Sequence, residues 1–161
     1  MGRGFQIVEA DEHHQEMIEQ IWTEHWGSTT MVSRGKLYNA SEFPGFFAMA
    51  EGDILGLVTY RVEDTECEVM SLNSFQDGMG VGSALLEAVI EKAKSFNCRR
   101  LWLLTTNDNM NALRFYQKRG FVLVAVHRNA LEESRKLKPQ IPTIGFDGIP
   151  LRDEIELEIE L

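Results

Sequence analysis

The sequence predicts a single α+β domain over residues 1–161: a mixed, mostly antiparallel sheet of six or seven strands with about four helices. Three observations carry this. Residues 46–72 hold three extended stretches in succession, parted by turn-forming residues. Two segments with helical spacing follow a glycine-rich loop and a capping asparagine. The last segment, Ile155–Leu161, alternates apolar and acidic residues strictly, the pattern of a half-buried strand.

Taken in order, Phe5–Val8 alternates loosely as a first strand. Asp11 offers an N-cap oxygen to a helix over residues 12–25, whose apolar face carries Met17, Ile18, Ile21, Trp22 and Trp26. Residues 27–42 are polar and carry no clear pattern. Phe46–Ala50, Ile54–Val62 and Glu66–Leu72 form an antiparallel meander, turning at Glu51-Gly52-Asp53 and Glu63-Asp64-Thr65. A second helix presents Val81, Leu85, Ala88, Val89, Ala93 and Phe96 on one face. Leu101–Thr106 is an apolar run suited to a strand covered on both sides. Asn109 caps a third helix through Arg119. Gly120 ends it in a left-handed conformation, Phe121 packs back on it, and Phe121–Val126 is the next strand. Asn129–Lys138 reads as a short helix, after which Pro139 and Pro142 forbid regular structure.

Composition narrows the function classes. Hydrophobic residues make up 43% and charged residues 25%, as in an ordinary globular chain. The net charge of −9 argues against nucleic-acid binding, which rests on cation–phosphate contacts. No apolar run reaches the ~20 residues of a membrane span, and Met1–Gln6 lacks the apolar centre of a secretory leader. Two cysteines, Cys67 and Cys98, make no disulfide framework and suit a cytoplasmic protein with reduced thiols. His13, His14, His25 and His127 are too scattered for a metal site and read as surface or packing residues, although His127 could face an acceptor pocket. Trp22 and Trp26 read as core or as a pocket wall, and the acidic C-terminal strand as a solvated face.

The most informative local feature is the loop Gln76-Asp77-Gly78-Met79-Gly80-Val81-Gly82-Ser83, which runs from a strand into a helix. Backbone amides at such a helix start can face an anion, and glycines allow close approach. A tight turn with close helix packing is the other reading. The loop is no P-loop, because Val81 rather than lysine stands beside Gly82-Ser83. It is no dinucleotide fingerprint either, because Ser83 occupies the third glycine's place.

The loop with Ser83-Ala84-Leu85-Leu86 resembles motif A of the GCN5-related N-acetyltransferases (GNAT), Gln/Arg-x-x-Gly-x-Gly/Ala. The run Asn109-Met110-Asn111-Ala112-Leu113-Arg114-Phe115-Tyr116-Gln117-Lys118-Arg119-Gly120-Phe121 resembles the superfamily's second signature, Asn-x-x-Ala-x-x-Phe-Tyr-x-x-x-Gly-Phe. The two stand in register, one helix and one buried strand apart, and cover residues 66–127. One departure is that Asp77, not Gln76, falls at the usual Gln/Arg position. The resemblance implies a sheet splayed between its fourth and fifth strands, with acetyl-coenzyme A in the opening and no metal. It implies pyrophosphate binding by Gln76 and by Gly78, Met79, Gly80, Val81, Gly82 and Ser83, with the main cradle at the amides of Met79–Ser83. It implies pantetheine contacts along Met70–Leu72, and a role for Asn109 at the pantetheine arm or in holding its helix. Tyr116 is implied as the acid that protonates the leaving thiolate, and a phenol near pKa ~10 is matched to that task; a core aromatic beside Phe115 is the other reading. Glu68, placed by simple alternation on one face with Met70 and Leu72, is the candidate base, either directly or through water, or else a solvated charge.

The expected reaction is therefore acetyl transfer from acetyl-coenzyme A to the primary amine of a small molecule or peptide. A longer acyl donor, or a module that senses acyl-coenzyme A without turnover, are the alternatives, and a homodimer is open. An irregular insertion over residues 128–152 carries Arg128, Arg135, Lys136, Lys138 and Arg152. It is expected either to close one side of the acceptor pocket and help recognise a carboxylate or phosphate, or to be a dimer contact or solvated excursion. Polyamines and aminoglycosides, which prefer acidic pockets, stay open.

Overall fold

A computed structural model describes residues 4–161; Met1–Arg3, part of the segment read for a leader, lie outside the described residues. In chain order the elements are β1 (Gln6–Glu9), α1 (Gln15–Trp26), β2 (Thr30–Ser33), β3 (Lys36–Asn39), β4 (Gly45–Ala50), β5 (Asp53–Glu63), β6 (Glu66–Ser74), α2 (Val81–Ser95), β7 (Arg100–Thr106), α3 (Met110–Lys118), β8 (Val122–His127), α4 (Ala130–Leu137) and β9 (Glu154–Glu160). The α+β class predicted from sequence is the class observed. The patternless stretch after α1 holds the hairpin β2–β3, which turns at Arg34 and Gly35 with φ of +48° and +75°. No helix among the described residues is long and apolar enough to cross a membrane.

The chain forms two compact units. The first comprises residues up to Thr29, Asn39–Leu101 and Leu161. Its strands run antiparallel in the order β1-β4-β5-β6. The predicted turn between β4 and β5 is made by Glu51 and Gly52 at φ +52° and +83°, the mirror-image turn that matches strand twist.

Helices cover both faces of this sheet. On one face α2 lies so close to β5 that a Cβ on Gly56 would stand 2.7 Å from both Val81 Cγ1 and the Asn73 carbonyl oxygen. Phe46 and Tyr60 stack on that face at 5.9 Å. On the other face α1 is tied down by fully buried Trp22, whose indole N–H donates to Ser71 Oγ at 3.1 Å. Ser71 Oγ in turn shares a proton with Thr59 Oγ1 at 2.6 Å, so three buried polar groups satisfy one another. Trp26 does not join Trp22 in the core: it is 45% exposed, at the point where Gly27 turns the chain left-handed and ends α1.

The pairing of β5 with β6 is irregular at one place. Thr59 pairs with Ser71 but Tyr60 pairs with Val69, which leaves Met70 as an extra residue in β6. The bulge overturns the simple alternation expected from sequence. Glu68 shares its face with Ser71 and Asn73, the α1 side, while Leu72 shares the α2 side with Val69.

The second unit comprises Thr30–Tyr38 and Trp102–Glu160. Its sheet strands run in the order β7-β9-β8, with β8 and β9 antiparallel. The predicted short helix appears as α4, and Lys138 just beyond it donates from Nζ to the Thr30 carbonyl of β2 at 2.7 Å. The last strand is not wholly a solvated face. Glu156 is 6% exposed and bonds His127 Nε2 at 3.0 Å, which also gives that histidine its partner.

Two predictions follow from the packing of the first unit. Gly56→Ala should cost about 1–3 kcal/mol by forcing α2 off β5, read as a lower urea midpoint. Burial lifts the Cys67 thiol from 9.0 to about 12, with Cys98 and Glu68 adding to the rise. Burial likewise lifts Tyr60 from 10.0 to about 12, with Glu9 and Cys67 contributing. Both groups keep their protons in the folded chain after the unfolded chain has lost them. The stability they lend is complete below pH 9.0 and is lost as the pH climbs toward about 12. Thermal unfolding across that window should show a falling Tm, and Cys67→Ala should start lower but fall less steeply.

Candidate functional site

The site of the first unit is built where β6 runs through the glycine loop into α2. Gly78 and Gly80 both take positive φ, +79° and +75°, and a Cβ on either would meet nothing within 4 Å. The glycines are thus not demanded by neighbouring protein atoms; the backbone conformation requires them and leaves open space above them. Gly80 is the N-cap of α2, no side chain caps it, and the first turn carries no acid. Val81, 1% exposed, anchors the helix start in the core beside Gly56. Gly82 is buried behind it, whereas Gln76, Asp77 and Met79 are exposed around the loop. The positive end of a helix therefore faces open space, unscreened by any first-turn carboxylate.

Upstream on β6, Met70 is buried at the bulge and Leu72 is half-buried. Glu68 is 3% exposed, so it is not a solvated charge. Its carboxylate faces Arg61 Nη2 at 3.5 Å, and Arg61 also pairs with Glu63.

Asn109 and Tyr116 lie in the second unit. Asn109 Oδ1 accepts from the Ala112 amide at 3.1 Å, so this side chain holds its own helix as an N-cap. Tyr116 is 8% exposed, with Phe115 edge-on at 5.1 Å and Phe121 at 5.4 Å. The expected helix end is present: Gly120 has φ +96°, and the Phe121 amide donates to the Tyr116 carbonyl at 3.1 Å. Burial pushes the Tyr116 phenol well above its usual 10.0, so it stays protonated through neutral and mildly alkaline pH.

Sequence reasoning missed the two residues before Asn109. Asp108 is 3% exposed; it accepts from Thr106 Oγ1 and, at 2.9 Å, from the Phe146 amide. Asn107 Oδ1 accepts from the amides of Arg152 and Asp153 at 3.1 and 3.0 Å, and its Nδ2 donates to the Pro150 carbonyl at 2.9 Å. Together they pin the insertion to the loop that enters α3. The available signal was a run of three polar residues, Asn107-Asp108-Asn109, directly after an apolar strand.

Most cations of the insertion have partners within the second unit. The Arg135 guanidinium donates to the carbonyls of Ile141, Pro142 and Leu151. Lys136 pairs with Glu133, Lys138 is buried against β2, and Arg152 forks onto Asp153 at 2.9 Å. Arg135 and Lys136 bond within the insertion, while Lys138 ties it to β2 and Arg152 to Asp153. Among the described residues no group of three or more His, Cys, Asp or Glu is arranged to hold a metal ion.

The model of the acetyltransferase (GNAT) family matches residues 9–121. The uncharacterized protein YdhI of Bacillus subtilis is 43% identical over 150 residues, covering 92% of this chain and 94% of that protein. The spermine/spermidine N(1)-acetyltransferase of Bacillus subtilis is 32% identical over 82 residues, 44% of this chain and 54% of that enzyme. Among solved structures, a GNAT family acetyltransferase from Elizabethkingia anophelis with acetyl-CoA bound shares the fold at a TM-score of 0.71. It has 20% identity and covers 99% of this chain and 100% of its own. With the family model matching residues 9–121, this chain belongs to the GNAT acetyltransferase family.

Proposed function

We propose that the chain transfers an acetyl group from acetyl-coenzyme A to a primary amine of a small molecule or peptide, by direct attack of the amine on the thioester. The observation that carries the reading is the open cradle over the α2 N-terminus, which side chains at Gly78 or Gly80 would fill. The fit is chemical as well as spatial: successive amides from Met79 to Ser83 at a helix start suit a pyrophosphate and need no lysine. Gln76 is the side chain best placed in sequence to assist, because Asp77 would repel the same anion. Within Met70–Leu72 the bulge leaves Met70 without a partner in β5, and the backbone of this stretch offers groups to the pantetheine arm.

Acetyl-coenzyme A supplies an activated acyl group whose thiolate can depart. The amine's lone pair forms the C–N bond, the C–S bond breaks, and its electron pair leaves on sulfur. Tyr116, which is protonated at neutral pH, gives its proton to that thiolate, and burial makes the phenol a weaker acid than a free one until the departing thiolate lies against it. The amine nitrogen gives up one proton, to Glu68 directly or through water. One proton is gained and one lost, so the products are an amide and a thiol. The partial likeness to a spermine/spermidine acetyltransferase and the net charge of −9 support trying cationic amines first.

Thermal-shift titration with acetyl-coenzyme A, followed by thiol release across polyamines, aminoglycosides, amino acids and peptide N-termini, tests the reading. Acetyl-coenzyme A should raise the Tm and at least one amine should release thiol. A shift without release from any amine would leave a sensor, and release only with longer acyl donors would change the donor. Tyr116→Phe should lower kcat by about 10²-fold or more while the KM for acetyl-coenzyme A holds. Gly80→Val should do the reverse. It strains a residue at φ +75° and fills the cradle, weakening acetyl-coenzyme A binding at least about tenfold by calorimetry.

A further inference from the structure

Three polar side chains project from β6 toward the α1 side of the sheet: buried Glu68, buried Ser71 and half-buried Asn73. Two have protein partners, Arg61 for Glu68 and the Trp22–Thr59 pair for Ser71. Asn73 differs. Its side-chain oxygen is sealed from solvent yet accepts no hydrogen bond among the described residues. Two arginine nitrogens share that condition, Arg61 Nε and Arg100 Nε, but those guanidinium groups are engaged through their other nitrogens. A buried carbonyl oxygen without a donor is costly, and a leucine of similar volume would avoid that cost opposite Leu57, its partner in β5. The position is also distinctive. Asn73 follows Leu72 and stands three residues before Gln76, at the junction of the bulged strand and the glycine loop.

We propose that Asn73 is a binding residue whose side-chain oxygen accepts a hydrogen bond from an N–H of a bound reactant. This rests on the acetyl-transfer reading given above, in which two reactants carry such donors: the pantetheine amides of acetyl-coenzyme A and the acceptor amine. Both offer the same chemistry to the oxygen. The glycine cradle and the β6 backbone bind mainly through main-chain groups and Glu68 takes up a proton, so Asn73 adds a neutral side-chain acceptor that orients the bound reactant.

The test uses the full chain with Asn73→Leu and Asn73→Ala. Calorimetry of acetyl-coenzyme A on the wild type comes first, because failure there would sink the acetyl-transfer reading itself along with this one. With binding established, the ligand-free Asn73→Leu protein should melt at or above the wild-type temperature, since an unsatisfied buried group is gone. One KM should rise about five- to tenfold with a smaller change in kcat, the loss of one hydrogen bond to a buried acceptor. A rise in the KM for acetyl-coenzyme A identifies the pantetheine amide as donor, and a rise in the KM for the amine identifies the acceptor. The proposal is overturned if neither KM moves by more than about twofold. It is equally overturned if both variants lose thermal stability, which would mark Asn73 as a structural residue.

Discussion

The antiparallel pairing of β5 with β6 carries one residue too many on the β6 side, and the position of that residue decides what every side chain of β6 meets. Because Met70 is extra, Ser71 turns toward α1 and finds Trp22, and the resulting indole–hydroxyl–hydroxyl chain fixes the helix against the sheet. The same half-turn sends Glu68 and Asn73 to the α1 side and leaves Leu72 toward α2. A bulge also withdraws main-chain groups from the ladder at that point, so the strand that leads to the glycine loop has groups to spare at Met70. Gly56 completes the arrangement from the opposite face, since its missing side chain lets Val81 and Leu85 settle on the sheet and aims the start of α2 outward.

The second unit is organised by different means. Its insertion has little regular structure, yet side chains satisfy its backbone at several points, with Arg135 accounting for three carbonyls and Asn107 for two amides and a carbonyl. Such a segment is ordered by directional bonds rather than by burial of a hydrophobic stripe. This explains how a stretch with Phe146 64% exposed and Ile144 56% exposed holds a defined path.

What the sequence disclosed and what it withheld divide along a physical line. The cap at Asn109, the left-handed Gly120 and the turn at Glu51-Gly52 were legible because each is decided by atoms within a few residues. The glycine loop was legible for the same reason. The bulge at Met70 was not, since it depends on the count of residues in another strand. Nor were the partners of Arg135 or the pinning role of Asp108, which join positions 38 or fewer residues apart through a folded loop. A charge cluster reads as an offered surface until its acceptors are known, and here the acceptors of Arg135 and Lys138 are backbone carbonyls that no pattern of residue types reveals. Trp26 shows the complementary failure: helical spacing placed it beside Trp22, but a helix's last residue gains burial only if something covers its end.

The contact between Asp108 and Gly145 has a bearing on how this part of the chain can vary. An added Cβ at Gly145 would fall 2.0 Å from the Asp108 carboxylate, and the next amide, that of Phe146, is already bonded to it. Gly145 cannot gain a side chain without displacing Asp108, replacing Asp108 strips the Phe146 amide of its acceptor, and Asn107 bonds the far end of the same insertion in the same way. The tripeptide ahead of α3 and the segment from Gly145 to Asp153 therefore behave as one heritable cassette. In a chimera they would have to be exchanged together, and a loop graft that carried the insertion without Asn107 and Asp108 would bring a conformation with nothing to hold it.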